Sequence, residues 1–475
     1  MRKFLCISLG LIIFQALAGA QANVPRTTHY DLKYKIDFES QRLKAEAVVS
    51  LRNDSKSEIK TVPILLYRLL KFDAVKGERG NHLTFHQEVV SDEGEPQLQI
   101  NRALITLATP LRPGATTKLN LAFSGYVYGY PEVSAYVRES IKPPYFLIRS
   151  ETYSYPIIGE IDARKRYASQ LGWTFTYRVE VTVPEDYVAA MGAHLDKQTT
   201  AGKESTFVWT REEPIGQIDI GIAKFKSIAK EDEGLTVFYL PQHDEGAKAV
   251  LNALAVSRKF YSETFGEQAR KGGYTVIEIP KDWGSQAPLG YMILTEDAFT
   301  STKQLRQLYH EVAHSWNAVT TGKVQRARFF DESFAVYFCA LCRRSTDGQE
   351  GFDKEINGCR KYFPDDLKEM PGLSTTPIYK YGEHELGSAN YVKGPWALYV
   401  LHRLVGDAAF YGGIRQFLVD YRTKPATFED FRQVMEKASG IPLRKFFNDW
   451  IYTCNSDKLL LGTATVDEMV AAVKE

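Results

Sequence analysis

The alternation of apolar and polar positions divides the chain into two parts. In the amino-terminal part, apolar residues recur at every second position within short segments bounded by turn residues. This period of two is typical of half-buried strands, because successive side chains of a strand point to opposite faces of its sheet. The clearest predicted strands are residues 30–36, 43–51, 117–123 and 176–183. We predict an antiparallel β domain, either a saddle-shaped sheet or a sandwich, over residues 23–230.

Beyond the charged stretch 230–234, the apolar positions take up helical spacing. Residues 247–265 form one amphipathic run, and a predicted strand follows at residues 274–279. A second helical face then recurs at Leu305, Leu308, Tyr309, Val312, Ala313 and Trp316. Ser301 is the predicted N-cap of that helix, and Gln304 would complete a capping box. The fold class is therefore α+β and multidomain, with a mainly helical domain over residues 231–475.

The second of these helices carries the motif His310-Glu311-Val312-Ala313-His314. Positions four apart lie on one face of a helix, so both imidazoles can reach one ion. Zinc in hydrolytic sites takes three protein ligands and leaves a position open for water. Glu311 lies next to a ligand and is the predicted catalytic base for that water.

A third zinc ligand is predicted at Glu332, near the start of the apolar segment 329–338. A buried carboxylate without a partner is costly, and a zinc ion would be that partner. The alternative is that Asp331 and Glu332 only stabilise the start of a helix. The sequence thus predicts one zinc ion bound by His310, His314 and Glu332.

A His-Glu-x-x-His motif followed by a Glu on the next helix is the mark of the gluzincins, and residues 309–338 resemble the aminopeptidase N family, which includes leukotriene hydrolase. Residues 331–337 are similar to the family's Asn-Glu-Gly-Phe-Ala-x-Tyr. Residues 391–397 are similar to its Tyr-x-Lys-Gly segment, and residues 431–450 to its closing helices. The resemblance implies a thermolysin-like zinc peptidase domain after the β domain, a peptide substrate, and an oxyanion-stabilising role for Tyr391.

The chain departs from the family in two places. Seventeen residues separate His314 from Glu332 where the family has eighteen, a change that a surface loop absorbs. The family's Gly-x-Met-Glu-Asn, whose Glu holds the substrate's amino group, corresponds to residues 284–290. Ala287 takes the place of that Glu, and we expect Ala287 and Gly290 at the substrate site. With 25 residues after Trp450, we also expect a short form without the family's carboxy-terminal helical domain.

Glu151 is the candidate for a replacement amine anchor. Residues 145–151 resemble the family's amino-terminal stretch, in which a Gln or Glu holds the substrate's amine. A carboxylate facing an ammonium ion forms a charge-assisted hydrogen bond. The alternative is an ordinary exposed Glu in a loop.

The first residues predict export. Arg2 and Lys3 precede an apolar run over residues 4–17, and the small-x-small site Ala20-Gln21-Ala22 follows. This arrangement is typical of a secretory signal peptide over residues 1–22, so we expect a periplasmic or extracellular protein. The run is short for a membrane span, and we expect no span in the mature protein.

The net charge restricts the class of binding partner, and the cysteine content restricts the expected disulfide bonds. Loss of the signal would change the formal charge from +1 to −1, and without a basic cluster this balance argues against nucleic acid as a partner. Four cysteines remain after the signal, and we expect buried thiols or one ordinary disulfide among them: Cys339, Cys342, Cys359 and Cys454.

Two classes of function follow. The first is an exported zinc metallopeptidase, an aminopeptidase by its resemblance, with an endopeptidase as the variant that the change at Ala287 permits. The second is a peptide-binding relative that kept the fold and lost efficient turnover. The complete set of Glu311, three ligands and Tyr391 favours the enzyme. The sequence leaves the oligomeric state open.

Overall fold

The computed structural model describes residues 9–10, 24–161, 174–268 and 272–474. Two compact units are present, one formed by residues 1–249 with 273–300 and the other by residues 250–272 with 301–475. Every strand that the structure describes lies in the first unit, and the second is built from helices. The predicted fold class, a β domain followed by a mainly helical domain, is confirmed.

The first unit contains a β-sandwich. Its larger sheet has seven strands in the order His194–Ala201, Glu204–Ile215, Phe175–Pro184, Arg26–Asp37, Arg42–Arg52, Thr116–Gly125 and Leu70–Gly77. The facing sheet has four strands in the order Ile157–Ile158, Ile59–Tyr67, Gln99–Leu111 and Phe85–Ser91. Side chains from both sheets form one apolar core, for example Val49 and Leu121 against Ile64 and Ile105. The two sheets thus pack face to face, as in other sandwiches.

The four strands predicted in the amino-terminal part are present, with ends within four residues of the prediction, and the strand predicted at residues 274–279 is present as Tyr274–Ile279. Buried and exposed positions alternate along Arg42–Arg52, as the period of two requires. One part of the prediction is wrong, because Phe175–Pro184 pairs parallel with Arg26–Asp37 rather than antiparallel. Residue spacing along one strand carries no information about the direction of its neighbour, and long crossovers permit parallel pairing.

Two further sheets complete the first unit. One has three strands in the order Val188–Met191, Ile220–Ala223 and Tyr145–Ile148. The other is mixed and has six strands in the order Leu9–Gly10, Gln286–Ala287, Tyr291–Thr295, Tyr274–Ile279, Leu235–Tyr239 and Lys226–Lys230. The predicted boundary at residue 230 therefore falls inside a hairpin, because Lys226–Lys230 pairs antiparallel with Leu235–Tyr239.

A long helix, Asp244–Phe265, runs from the first unit into the second. The first unit also holds the short helix Asp297–Thr300. The α-helices of the second unit are Leu305–Ala313, Gly322–Ala327, Phe334–Glu369, Lys393–Val405, Asp407–Asp420, Phe428–Ser439, Arg444–Phe447, Asp457–Leu461 and Val466–Val473. Two π-helical turns, Phe329–Ser333 and Asn448–Tyr452, interrupt this set. The helix Phe334–Glu369 is kinked at Gly348, which has φ +72°.

Six phenylalanines form the core beside the first π-helical turn, and we call them the phenylalanine cluster: Phe329, Phe330, Phe334, Phe417, Phe428 and Phe431. Their ring centroids lie about 5–6.5 Å apart, for example 5.2 Å between Phe330 and Phe417. Offset and edge-to-face pairs at such distances add to the free energy gained by burying the rings. The cluster fixes the turn that carries Glu332.

Two details differ from the sequence predictions. Ser301 does precede the helical segment, but its side chain makes no capping hydrogen bond, and a 3-10 turn, Thr302–Gln304, comes before the helix. The capping box is therefore wrong, because Gln304 ends the 3-10 turn instead of occupying the first α-helical turn.

Of the two options for the cysteines, the structure has free thiols at all four described positions.

Most of the predicted signal segment, residues 1–22, lies outside the described residues, so export stays a prediction. The described strand Leu9–Gly10 belongs to that segment and pairs parallel with Gln286–Ala287. Within the described ranges, no helix combines the length and the apolar character needed to cross a bilayer.

The carboxy-terminal segment is tied to the rest of the second unit by a buried ion pair. The ammonium of Lys393 lies 2.5 Å from Asp457 Oδ1, and the Lys393 side chain is fully buried. Burial raises the pKa of Asp457, and Lys393 opposes that rise. Removing one partner of a buried pair leaves an uncompensated charge, which costs more than the pair contributes.

We predict that Lys393→Met lowers the free energy of unfolding of the second unit by about 3–5 kcal/mol. Methionine retains the volume of most of the apolar part of the lysine side chain, so most of the loss reports the unpaired Asp457. Urea unfolding followed by fluorescence measures it. The control is Lys368→Ala, which removes an exposed pair with Asp365 at 3.1 Å and should change stability by about 0.5 kcal/mol or less. Equal losses in both variants would contradict the prediction.

Candidate metal centre

The helix Leu305–Ala313 positions the first half of the predicted motif, and we call it the histidine helix. Its apolar face, including Leu308 and Val312, is fully buried. The Tyr261 hydroxyl donates a hydrogen bond to the carbonyl of Tyr309 at 2.9 Å. His314 lies just past the α-helix, at the start of the 3-10 turn His314–Trp316. The chain is thereby held so that both imidazoles of the motif lie on one side.

Glu332 lies in the π-helical turn Phe329–Ser333, which we call the glutamate turn. The sequence predicts the start of a helix here, and the structure has one wider turn before the α-helix begins at Phe334. Such π-helical turns are frequently found at functional sites. Glu332 is fully buried, as are its neighbours in the phenylalanine cluster.

The three predicted ligands converge. Nε2 of His310 lies 3.3 Å from Nε2 of His314, and Glu332 Oε2 lies 3.3 and 3.7 Å from these two atoms. Three atoms about 2.0–2.1 Å from one tetrahedral zinc ion would be about 3.3–3.4 Å apart. Oε2 of Glu332 accepts no hydrogen bond from the described residues, although it is buried. The residues present therefore fit a zinc ion.

Asp331 orients one of the two imidazoles. Its Oδ1 atom lies 2.8 Å from His314 Nδ1 and also accepts a hydrogen bond from Asn317 at 3.0 Å. A proton held on Nδ1 leaves Nε2 available to a metal. In the metal-free chain, burial disfavours the charged imidazole, but Asp331 and Glu332 outweigh it and raise the pKa of His314 to about 9. The sequence pattern alone indicates only a helix-stabilising role for Asp331.

Glu311, the predicted base, is buried beside the ligands. Gln307, one turn earlier on the histidine helix, donates a hydrogen bond to Glu311 Oε1. The other carboxylate oxygen accepts none from the described residues. Burial raises the pKa of Glu311 to about 8 in the metal-free chain, while His314 lowers it. One oxygen is thus held in place and the other is available for proton transfer.

Tyr391 is brought to the ligands by contacts of its chain neighbours. Ser333 of the glutamate turn donates a hydrogen bond to the Asn390 carbonyl at 2.8 Å, and Asn390 donates one to the Ala327 carbonyl at 2.5 Å. A Cβ atom at Gly394 would lie 1.7 Å from Ser333 Oγ, so only glycine permits this approach. The Tyr391 ring lies 6.1 Å from the His310 ring, with an interplanar angle of 28°.

A further cation beside the ligands is Arg328, which sequence analysis missed. Its guanidinium donates hydrogen bonds to Glu332 Oε1 and to Asp331 Oδ2, the latter at 2.9 Å. Burial of Asp331 would raise the pKa of its carboxyl, but His314 and Arg328 outweigh it and lower the pKa to about 2. The i, i+4 spacing of Arg328 and Glu332 was the available signal.

The predicted substrate-binding residues lie in the first unit. Glu151 is part of the 3-10 turn Ser150–Thr152 and is buried, so the alternative of an exposed loop residue is wrong. Gln286 donates a hydrogen bond to Glu151 Oε1. Ala287 follows on the same short strand and is buried, and Gly290 has φ +82° at the turn into the next strand. The structure thus joins the Glu151 turn to the segment that departs from the family.

Glu151 belongs to a buried cluster with more carboxylates than cations. Arg149 is fully buried, contacts Glu139, and has its Nε atom 3.9 Å from Glu151 Oε2. Asp219 accepts hydrogen bonds from Gln217 at 2.7 Å and from the Tyr291 hydroxyl at 2.6 Å. Burial raises the pKa of Glu139 to about 7 and that of Asp219 to about 6. Such a cluster favours an added cation, because carboxylates buried close to one another disfavour each other's charged form.

Comparison with known sequences agrees with this geometry. Residues 290–450 match the peptidase family M1 domain. The chain is 25% identical over 301 residues to a probable aminopeptidase 2 of Sulfurisphaera tokodaii, covering 58% of this chain and 38% of that protein. It is 21% identical over 318 residues to human glutamyl aminopeptidase, covering 61% of this chain and 33% of that protein. The chain therefore spans little more than a third of the length of these relatives.

Solved structures share the fold. An M1 zinc metallopeptidase of Deinococcus radiodurans, bound to a Tyr-Ser-Ala substrate, aligns with a TM-score of 0.60 at 18% identity over 90% of this chain and 94% of that one. Yeast LTA4 hydrolase aligns with a TM-score of 0.62 at 14% identity over 90% and 68%. The matched segment 290–450 contains all three converging ligands, Glu311 and Tyr391. Over residues 290–450 the chain thus resembles the peptidase family M1 domain, which confirms the predicted resemblance to the aminopeptidase N family.

Proposed function

We propose that this protein is a zinc-dependent peptidase of the aminopeptidase type. The observation that carries the proposal is the convergence of His310, His314 and Glu332 at tetrahedral spacing, with the buried carboxylate of Glu311 next to a ligand. The aminopeptidase names of its relatives support the choice of reaction. We also propose export, on the evidence of the charged and apolar pattern of residues 1–22.

Zinc, when bound by His310, His314 and Glu332, would supply a Lewis acid that makes water a better nucleophile and polarises the scissile carbonyl. The protein's own part is proton transfer. Glu311 would take a proton from the attacking water on its free oxygen and deliver it to the departing amine. Because Gln307 holds the other oxygen, the carboxylate keeps one orientation through both steps.

Tyr391 would stabilise the charge that develops on the carbonyl oxygen. Its hydroxyl is a neutral donor, and a donor aimed at a developing oxyanion acts mainly in the transition state. The position of its ring beside His310 supports this role. Tyr391 would therefore affect turnover more than metal binding.

Glu151 would hold the substrate's amino group in place of the family's Glu, a position that Ala287 occupies in this chain. The excess of carboxylates around Arg149 supports cation binding, and Gln286 keeps the Glu151 side chain in one position. The same change at Ala287 favours a second candidate, an endopeptidase without amino-terminal specificity. A peptide-binding relative with weak turnover is the third possibility, and the metal and activity measurements below separate these three.

Glu311→Gln is expected to leave zinc bound at one ion per chain and to lower kcat about 100- to 10,000-fold, because the amide cannot accept the proton. Metal analysis and peptide hydrolysis measure the two effects. Glu350→Gln, at an exposed position of the helix Phe334–Glu369, is the matched control and should behave as wild type. Zinc loss in the Glu311 variant, or unchanged turnover, would contradict the role of base.

Tyr391→Phe is expected to lower kcat about 100- to 1,000-fold with unchanged zinc content, since it removes one oxyanion donor and keeps the ring. Tyr362→Phe removes a hydroxyl from an exposed tyrosine and should have no effect. A kcat within twofold of wild type in the Tyr391 variant would exclude an oxyanion role.

A peptide with a free amino terminus is expected to be cleaved faster than its acetylated form, because acetylation removes the cation that Glu151 would bind. Glu151→Gln should raise KM for the free peptide about tenfold or more and leave the acetylated peptide unaffected. Equal cleavage of both peptides by the wild type would favour the endopeptidase. Zinc binding without cleavage of either would favour the binding protein.

A further inference from the structure

One guanidinium contacts three of the groups that build the metal centre. Arg328 donates hydrogen bonds to Glu332 and to Asp331, and its Cζ atom lies 5.7 Å from the centroid of the Tyr391 ring. These three residues are the carboxylate ligand, the residue that orients His314, and the proposed oxyanion donor. All of them lie in the second unit.

The two oxygens of Glu332 have different surroundings. Oε1 accepts the hydrogen bond from Arg328 Nη2, whereas Oε2 faces Nε2 of His310 and His314. A carboxylate with one oxygen held by a guanidinium cannot rotate about its last bond without breaking a charge-assisted hydrogen bond. Only Oε2 is then offered to an ion.

We propose that Arg328 is a positioning residue that holds Glu332 as a one-oxygen ligand and, through the same guanidinium, fixes Asp331 and the Tyr391 ring. This inference rests on the proposed function. Partners that orient metal ligands typically change metal affinity or activity 10- to 100-fold when they are removed. Arginine suits the task because its planar fork stays charged and contacts several acceptors at once.

The backbone at this position supports the proposal. Arg328 has φ +59° and ψ +18°, the left-handed conformation, at the end of the helix Gly322–Ala327. Glycine or asparagine is preferred there, and the backbone of other residues is strained. The helix end alone thus gives no reason for an arginine. Its side chain is also closely packed, since a Cβ atom at Gly387 would lie 3.0 Å from Arg328 Cγ.

The test compares Arg328→Gly, Arg328→Lys and the control Arg326→Ala in the full chain. Arg328→Gly suits the left-handed backbone and removes the guanidinium, so it separates the side chain's role from that of the helix end. Arg328→Lys keeps the charge but not the fork. Arg326 lies in the helix Gly322–Ala327, which ends just before Arg328. It donates a hydrogen bond to the Gly382 carbonyl at 2.8 Å, away from the ligands.

Four quantities are measured for each variant: the zinc Kd by chelator competition, the visible absorption of the cobalt-substituted protein, kcat and KM at saturating zinc, and the melting temperature without metal. The absorption of the bound cobalt ion reports the geometry of its ligands. If Arg328 only supported the fold, its replacement would leave this absorption unchanged. The metal-free melting temperature reports whether the variant is folded.

Arg328→Gly is expected to weaken zinc binding about 10- to 100-fold, to change the cobalt spectrum, and to lower kcat about tenfold or more with a KM within about threefold of wild type. Its metal-free melting transition should persist at a lower temperature than in wild type, because loss of the guanidinium leaves the buried Glu332 and Asp331 carboxylates with one partner fewer and relief of the backbone strain offsets only part of that loss. Arg328→Lys should recover part of the zinc affinity, and Arg326→Ala should match wild type in affinity and spectrum.

A zinc Kd and a cobalt spectrum like those of wild type in Arg328→Gly would overturn the inference and leave the proposed function standing. So would an equal loss in Arg326→Ala, which would indicate damage to the whole helix. If Arg328→Gly does not fold, Arg328→Lys decides, and wild-type affinity and spectrum there would overturn the role of the fork. Failure of the wild type itself to bind zinc and cleave peptides would overturn the proposed function, and this inference with it.

Discussion

The burial of the Glu332 carboxylate is the constraint on which the metal centre depends. A fully buried carboxylate needs partners, because its water of hydration has been lost. The phenylalanine cluster removes that water by packing around the glutamate turn, with rings such as Phe330 and Phe417 5.2 Å apart. Arg328 satisfies one oxygen of Glu332, and the other faces two imidazoles. Because the apolar core excludes water from Glu332, this carboxylate depends on the polar groups of the candidate metal centre for its partners.

The groups that would perform the chemistry come from three separate segments and are joined by short contacts. The histidine helix supplies two imidazoles and Glu311, the glutamate turn supplies Glu332, and the segment before Lys393–Val405 supplies Tyr391. Ser333 and Gly394 set the distance between the last two, because no side chain at Gly394 would fit. This rigid support is what proton transfer and oxyanion stabilisation require, as both are sensitive to shifts of about 1 Å.

The first unit carries the chemistry that would decide which substrates are used. Ala287 removes the carboxylate that the resemblance leads one to expect, and the same strand instead presents Gln286 to Glu151. Around Arg149, buried carboxylates outnumber the guanidinium that neutralises them. An incoming ammonium ion would restore the balance of charge.

The sequence alone determined the class of fold, the positions of five strands, and the identity of the three converging ligands, because periodicity and the His-Glu-x-x-His spacing are local properties of the chain. Only the tertiary structure decided the features that depend on contacts between separate segments of the chain. The parallel pairing of Phe175–Pro184 and the widened glutamate turn both involve neighbours distant in sequence, Arg26–Asp37 in the first case and Asn390 in the second. The roles of Asp331 and Arg328 also became visible only when folding placed them against His314, Glu332 and Tyr391. A ligand can be found from its spacing, but the groups that orient it are defined by contacts in space.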